Sequence, residues 1–417
     1  MSKEKQDLWQ EYNFFDVIEV LDFRGRTPKK LNLDWGGDIP ALSANNVKMG
    51  KIDYSLTTNF GSEELYSKWM TKGDLEIGDL VLTTEAPAGN VVVINDNKKY
   101  ILSQRVIGLK PDKRVIDSNY LMYFFMSNYF KNYLQGYGTG TTVTGISQKN
   151  LEFLKIIAPP LEEQQKIAEI LSSVDAAIEK TEQVIAKTEE VKKGLMQQIL
   201  TKGIGHTEFK QTEIGEIPVG WNVINLEEIC SLITYGFTNP MPTTDEGPYM
   251  ITAKDIRDGD IQYKTARKTS MECYSNDLTD KSRPSIGDIL ITKDGTLGRL
   301  AIVKQEDICI NQSVARIVLK DINLVKYIYY LLDSPQVQTR ILAESGGSTI
   351  KHIYITKLAK TLIPISTDVE EIKNITNILD SYDYKISSEK RKCNYLINIK
   401  KGLMQQLLTG QVRVKID

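Results

Sequence analysis

Lys192-Lys193-Gly194-Leu195-Met196-Gln197-Gln198 returns, residue for residue, as Lys400-Lys401-Gly402-Leu403-Met404-Gln405-Gln406. Seven consecutive identities at an offset of 208 residues mark an internal duplication, and such a repeat organises everything else in a chain. The match extends outward from this block. Ile77-Gly78-Asp79 reappears as Ile286-Gly287-Asp288, offset 209. The run 43–52, with Asn45, Asn46 and Lys48, aligns with 252–261, with Lys254, Asp255 and Arg257. Gln104-Arg105-Val106 lies opposite Gln312-Ser313-Val314, and Trp9 pairs with Trp221 after a small gap. A period near 208 residues is too long for a solenoid. It describes two copies of one two-part module, for which pseudo-twofold symmetry is the expectation.

The back part of each copy reads as one long helix. After Ala158-Pro159-Pro160 the chain runs to Lys202 without proline and with Gly194 as its one glycine. Leu171, Val174, Ile178, Thr181, Ile185, Thr188, Leu195 and Ile199 follow at alternating steps of three and four, with one step of seven across Lys192. That is a seam of period 3.5, the pattern of a coiled coil. In the second copy the same positions hold Leu379, Tyr382, Ile386, Glu389, Cys393, Leu396, Leu403 and Leu407, of which Glu389 fits least well. Pro364 precedes this helix as Pro159-Pro160 precedes the first. About 43 residues at about 1.5 Å each give a rod of roughly 64 Å. Two such narrow-striped helices should pack together as an antiparallel coiled coil. The front parts carry short β-rich runs at 79–83, 91–94, 288–292 and 300–303, plus an aromatic helical stretch at 119–134 and another at 326–332. The resulting division is a head over 1–158, a helix over 159–205, a second head over 206–364, and a second helix with its tail over 365–417. The fold class is α+β, with two pseudo-symmetric globular heads separated by two long helices.

Composition narrows the functions available. The 417 residues are 41% hydrophobic and 25% charged, ordinary for a globular protein. The four cysteines form no CxxC pair and there are two histidines, which argues against a disulfide framework or a built metal site and fits a reduced cytoplasm. No apolar run approaches 18 residues, so no membrane span is expected. The sequence has no GxxxxGK[ST], GxSxG or HExxH motif, so an enzyme built on this chain alone is not expected. The net charge is −2. Residues 1–159 hold 19 basic and 19 acidic groups, and 203–365 hold 18 and 20. Any nucleic-acid grip must therefore come from local patches.

The loops at matched positions are the candidates for such patches. In the first head these are Arg24, Arg26, Lys29 and Lys30, then Asn45, Asn46 and Lys48, then Thr83 and Thr84, Gln104 and Arg105, and Thr139, Thr141 and Thr142. In the second head they are Lys254, Asp255 and Arg257, then Lys293, Asp294, Thr296 and Arg299, then Gln312, and Ser348, Thr349 and Lys351. Arginine and lysine suit guanine edges, asparagine and glutamine suit adenine edges, and hydroxyls and backbone amides suit phosphates. The loop chemistry differs between the heads while the frame is kept, as expected if the two heads read different half-sites.

This constellation resembles the specificity subunit of type I restriction-modification systems. The residues that carry the resemblance are Pro159-Pro160-Leu161-Glu162-Glu163-Gln164-Gln165-Lys166-Ile167-Ala168-Glu169-Ile170-Leu171, the two Lys-Lys-Gly-Leu-Met-Gln-Gln blocks, Gly215-Glu216-Ile217-Pro218-Val219-Gly220-Trp221, and the Ile-Gly-Asp turns. The second copy departs from the pattern: Ile365-Ser366-Thr367-Asp368-Val369-Glu370-Glu371-Ile372 lacks the Pro-Leu and the Gln pair. The resemblance implies two target recognition domains, each reading one half of a bipartite double-stranded DNA sequence. It implies a coiled coil that sets the spacer and docks two methyltransferase subunits, with nuclease/translocase subunits joining for restriction. S-adenosylmethionine, ATP and Mg²⁺ would then belong to the partners, with no cofactor on this chain. The competing class is a coiled-coil scaffold that binds only protein. Steep weakening of DNA binding with salt separates the two.

Overall fold

The Ile-Gly-Asp turns each start a strand because their glycine supplies a positive φ: +90° at Gly78 and +93° at Gly287. In a computed structural model, which describes residues 9–137, 145–343, 345 and 351–416, these turns open the central strands of two matching sheets. The chain divides into two units. One comprises Met1–Glu182 with Arg391–Asp417, the other Gln183–Lys390. The division falls inside both long helices, so each unit holds one head, half of one long helix and half of the other.

In the first unit a four-stranded antiparallel sheet runs in the order Ile18–Leu21, Val106–Pro111, Leu80–Thr83, Val91–Val93. A three-stranded sheet is centred on Ile39–Leu42, with Phe60–Gly61 antiparallel and Ile101–Leu102 parallel to it. Gln10–Asn13 pairs with Lys155–Ala158, returning the chain to the start of the long helix. The second unit repeats this scheme. Its larger sheet is Cys230–Tyr235, Val314–Leu319, Ile289–Thr292, Leu300–Ile302, and its three-stranded sheet is centred on Thr244–Ile251. Trp221–Asn225 pairs with Leu362–Ser366.

The aromatic stretch of the first head is two helices, Ser118–Met126 and Asn128–Tyr137, not one. Ser127 breaks it: extended at ψ 162°, it donates its hydroxyl to Phe124 O at 2.6 Å and accepts from the Phe130 amide. Ser334 likewise donates its hydroxyl to Leu331 O at 2.6 Å between Val325–Asp333 and Pro335–Ala343. Tyr120, Tyr123, Phe125 and Phe130 are fully buried, the ordinary fate of apolar ring area.

The long helices span Leu161–Lys202 and Val369–Leu407. In the first unit, Ile167, Leu171, Leu403 and Leu407 join the head's core. The ion pairs Arg413–Glu163 and Lys400–Asp175 show the two helix halves running antiparallel. In the second unit Leu195, Met196, Ile199 and Leu379 pack with the head, and Lys192–Asp383 and Lys390–Glu189 give the same direction. Each unit thus contains a length of antiparallel coiled coil. Leu171, Ile199, Leu379, Ile386, Cys393 and Leu407 are buried on the seam, and Val174, Ile178, Ile185, Leu195, Tyr382, Leu396 and Leu403 are half-buried on it. Thr181 and Thr188 are buried there too, each hydroxyl satisfied by the carbonyl four residues back at 2.7 Å. Among the described residues no helix is long and apolar enough to cross a membrane.

Candidate nucleic-acid interface

Several sequence candidates build the frame on which the loops stand. Asn46 is fully buried. Its Oδ1 accepts from the Ser43 amide at 2.8 Å, and its Nδ2 donates to Ala41 O and Thr58 Oγ1. Asp255 holds the equivalent turn, accepting from the Thr252 amide and hydroxyl. Thr83 Oγ1 donates to Pro87 O and accepts from the Asn90 amide, and Thr292 does the same with Thr296 O and the Arg299 amide. Thr84 is also buried, with a hydroxyl that has no hydrogen-bond partner among the described residues. The side chains of Asn46, Thr83 and Asp255 are thus engaged in building the turns, and Thr84 is buried beside them. Their recurrence reflects a shared frame.

Other candidates are tied down. Arg24 forms a paired contact with Asp22, 2.6 Å from Nη2 to Oδ2; burial pushes the Asp22 carboxyl up, but the hydrogen bonds and charge of Arg24 outweigh it and hold the group below its ordinary value. Arg26 donates to the Lys68 and Trp69 carbonyls and to Thr71 Oγ1, pinning its loop to the end of the helix Glu63–Trp69. Lys30 caps Gly25 O at 2.7 Å. Lys293 pairs with Asp294 at 2.7 Å over the Tyr235 ring, and Asp294 also takes a 2.5 Å contact from His352 Nδ1. Burial pushes Asp294 up, but Lys293 and His352 outweigh it, so its carboxyl lies below the ordinary value.

Part of the candidate set, tied or free, lines one cleft per head. In the first, of about 480 Å³, the lining includes Arg26, Lys29, Asn45, Gln104 and Arg105. In the second, of about 1190 Å³, it includes Lys254, Arg257, Asp294, Thr296 and Arg299. The two occupy matching positions in the repeat: Ser43, Ala44 and Asn45 line one where Thr252, Ala253 and Lys254 line the other. Asn45, Lys254, Arg257, Thr296, Arg299, Gln104 and Arg105 are all exposed. Arg24, Lys30 and Lys48 lie outside the first lining, and Lys293, Gln312 and Lys351 outside the second. Thr139, Thr141, Thr142, Ser348 and Thr349 fall outside the described residues.

Each cleft is locally basic in a head that is not. The first has Arg26, Lys29 and Arg105 against Asp34. The second has Lys254, Arg257, Arg267 and Arg299 against Asp255 and Asp294, both already engaged. The sequence reading missed Trp35, whose ring lies 5.6 Å from that of Trp69 at a tilt of 38° in the first cleft, and Arg267, Phe237 and Met241 in the second. These lie outside the runs matched by sequence identity, so a search by repeat did not reach them.

The Pro-Pro-Leu-Glu-Glu-Gln-Gln block also resolves into fold chemistry. Gln164 is fully buried, accepting from the Asp117 amide and donating to Val115 O and Pro159 O. Glu163 is 1% exposed and receives Arg413. At the equivalent place Glu371 accepts from Trp221 Nε1, Ser366 Oγ and the Ile204 amide, with His206 Nε2 at 2.8 Å. Ile372 stands where Gln164 does and joins the second core.

Burial pushes the Cys230 and Cys309 thiols up to about 12, so neither is a thiolate at neutral pH.

Comparison with known proteins agrees with this architecture. The family model for the type I restriction modification DNA specificity domain matches twice, over 6–190 and 218–398. The chain is 28% identical over 391 residues to the type I restriction enzyme MjaVIII specificity subunit of Methanocaldococcus jannaschii, covering 91% of this chain and 90% of that one. It is 22% identical to the EcoKI specificity subunit of Escherichia coli, covering 94% and 86%. In fold it matches the crystal structure of the type I restriction-modification S subunit from M. genitalium with a TM-score of 0.55, at 14% identity over 98% of this chain and 97% of that one. With two family domains, one head in each and an antiparallel helix pair in both units, the chain belongs to the specificity subunits of type I restriction-modification systems.

Proposed function

We propose that each head reads one half of a bipartite double-stranded DNA target through its cleft, and that the paired helices set the spacer between the halves. The observation that carries this reading is the pair of clefts at matched positions of one frame, lined by different side chains. A shared frame with divergent linings is what two different half-sequences require. On this reading the chain performs no chemistry. Two methyltransferase subunits dock on the helices and bring S-adenosylmethionine, and nuclease/translocase subunits bring ATP and Mg²⁺, all in the cytoplasm.

The test is an adenine-methylation map of cells carrying this chain with its modification subunits. A two-part motif of fixed spacing is expected. Arg299→Ala should relax only the half read by the second head, and Arg105→Ala only the other, each costing about 1–3 kcal/mol of discrimination at the affected base. Equal weakening at all sequences would make them phosphate contacts. A continuous motif would overturn the reading.

A further inference from the structure

The apolar seam of each long helix is interrupted once by a lysine. Lys192 and Lys400 open the repeated Lys-Lys-Gly-Leu-Met-Gln-Gln blocks and occupy the step where the seam skips an apolar residue. A cation at such a position costs stability and can in return specify register. Both are largely covered: the Lys192 side chain is 14% exposed and that of Lys400 is 21%.

Their partners recur as well. Lys400 Nζ lies 2.6 Å from Asp175 Oδ1, and Tyr123 Oη donates to Asp175 Oδ2 at 2.8 Å. The ammonium also sits 5.4 Å from the Tyr123 ring centroid. Lys192 Nζ lies 2.6 Å from Asp383 Oδ1, Tyr330 Oη donates to Asp383 Oδ2 at 2.6 Å, and the ammonium is 5.1 Å from the Tyr330 ring centroid. Each triad joins three elements: the aromatic helix of the head, the long helix that follows that head, and the terminal half of the other long helix. Carboxylate, ammonium and ring face each satisfy the other two, by charge-assisted hydrogen bonds and a cation–π contact. Burial and the carboxylate both push the tyrosine hydroxyls far up, so they remain donors. The second unit adds Asp380, which accepts from Tyr330 at 2.8 Å.

We propose that this Lys–Asp–Tyr latch, built once into each unit, locks the head to the helix pair in one register and makes the spacing between the recognised half-sequences stringent. The spacing clause rests on the function proposed above. The three are positioning residues, since none lines either recognition cleft.

The full-length double variant Lys192→Met and Lys400→Met tests it, made with the modification subunits and challenged with a plasmid library of half-sites at varied spacings. Methionine is unbranched, helix-favouring and apolar, so the seam keeps its packing. Unchanged half-sequences are expected, with discrimination against spacings one base pair off falling on the order of tenfold, the factor carried by one charge-assisted hydrogen bond. Tyr123→Phe with Tyr330→Phe should shift it the same way, and Lys→Arg should restore it. A purely stabilising role predicts a lower melting temperature with wild-type spacing, and that result overturns the proposal. A seven-residue deletion from both helices runs alongside. If it leaves the spacing unchanged, the ruler reading fails by itself. The latch then stands or falls on hydrogen exchange, where Ser118–Met126 and Val325–Asp333 should exchange faster in the methionine variant, and unchanged rates overturn it.

Discussion

Glu371 shows how much one carboxylate can organise. It is 8% exposed, and its two oxygens take the Trp221 indole, the Ser366 hydroxyl, the Ile204 amide and His206. Burial pushes its carboxyl up, but these donors together hold it below its ordinary value near 4.5. A depressed carboxylate stabilises the fold fully above the unfolded pKa and loses that contribution as pH falls through the folded one. Acid melts should therefore weaken the second unit as pH drops below about 4.5. Glu371→Gln should cost about 2 kcal/mol at neutral pH, because its amide group turns donors toward donors, and should flatten the acid dependence. Melting temperatures of the two proteins across that range check this, and parallel curves would refute it. Single residues were the hardest scale to read from sequence. Asn46 and Thr83 have the chemistry of base readers, yet their side chains are spent on turns. Polar type and recurrence cannot distinguish a shared frame from a shared task.

At the scale of elements the reading went further, because periodicity reports burial directly. The seam from Leu171 to Ile199 is the covered face of its helix, and the aspartates and tyrosines that meet Lys192 and Lys400 explain the one skipped step. The break in the aromatic stretch was not foreseen, because Ser127 stops the helix through a local hydroxyl bond that composition does not reveal. The remaining irregularity is the glycine in each repeated block. Gly194 and Gly402 are exposed, lie inside helices with ordinary φ, and have nothing within 4 Å of where a Cβ would stand. Glycine there costs about 1 kcal/mol relative to alanine. Gly194→Ala and Gly402→Ala should each stabilise the chain by about that amount in chemical denaturation. A loss of stability would show that these positions need a conformation alanine resists.

Across the whole molecule, duplication was the strongest signal, and the structure adds how the copies are assembled. Each unit takes the start of one long helix and the end of the other. In the second unit, the junction of helix end and head is the continuous run through Ile204, His206 and Trp221, gathered on Glu371. In the first unit, the same place is filled by residues from opposite ends of the described chain. Arg413 binds Glu163 and stands 6.0 Å from the Trp9 ring centroid, and Gly410 is packed so closely that a Cβ would lie 3.1 Å from that ring. The two junctions occupy the same place in each unit, one built on a continuous run of chain and the other on residues distant in sequence. A permutant that joins residue 416 to residue 9 through a short flexible linker, and opens the chain between Gly205 and His206, exchanges which junction is continuous and leaves both clefts, both latches and the seam intact. It should fold with a melting temperature within a few degrees of the parent, since loop-closure cost varies slowly with length. With the modification subunits it should methylate the same two half-sequences at the same spacing, because neither cleft, neither latch and no seam residue is touched. Altered half-sequences would mean that the heads depend on their order in the chain. An altered spacing would mean that the uncut Lys202–Trp221 connection, not the helix pair and its latches, sets the distance.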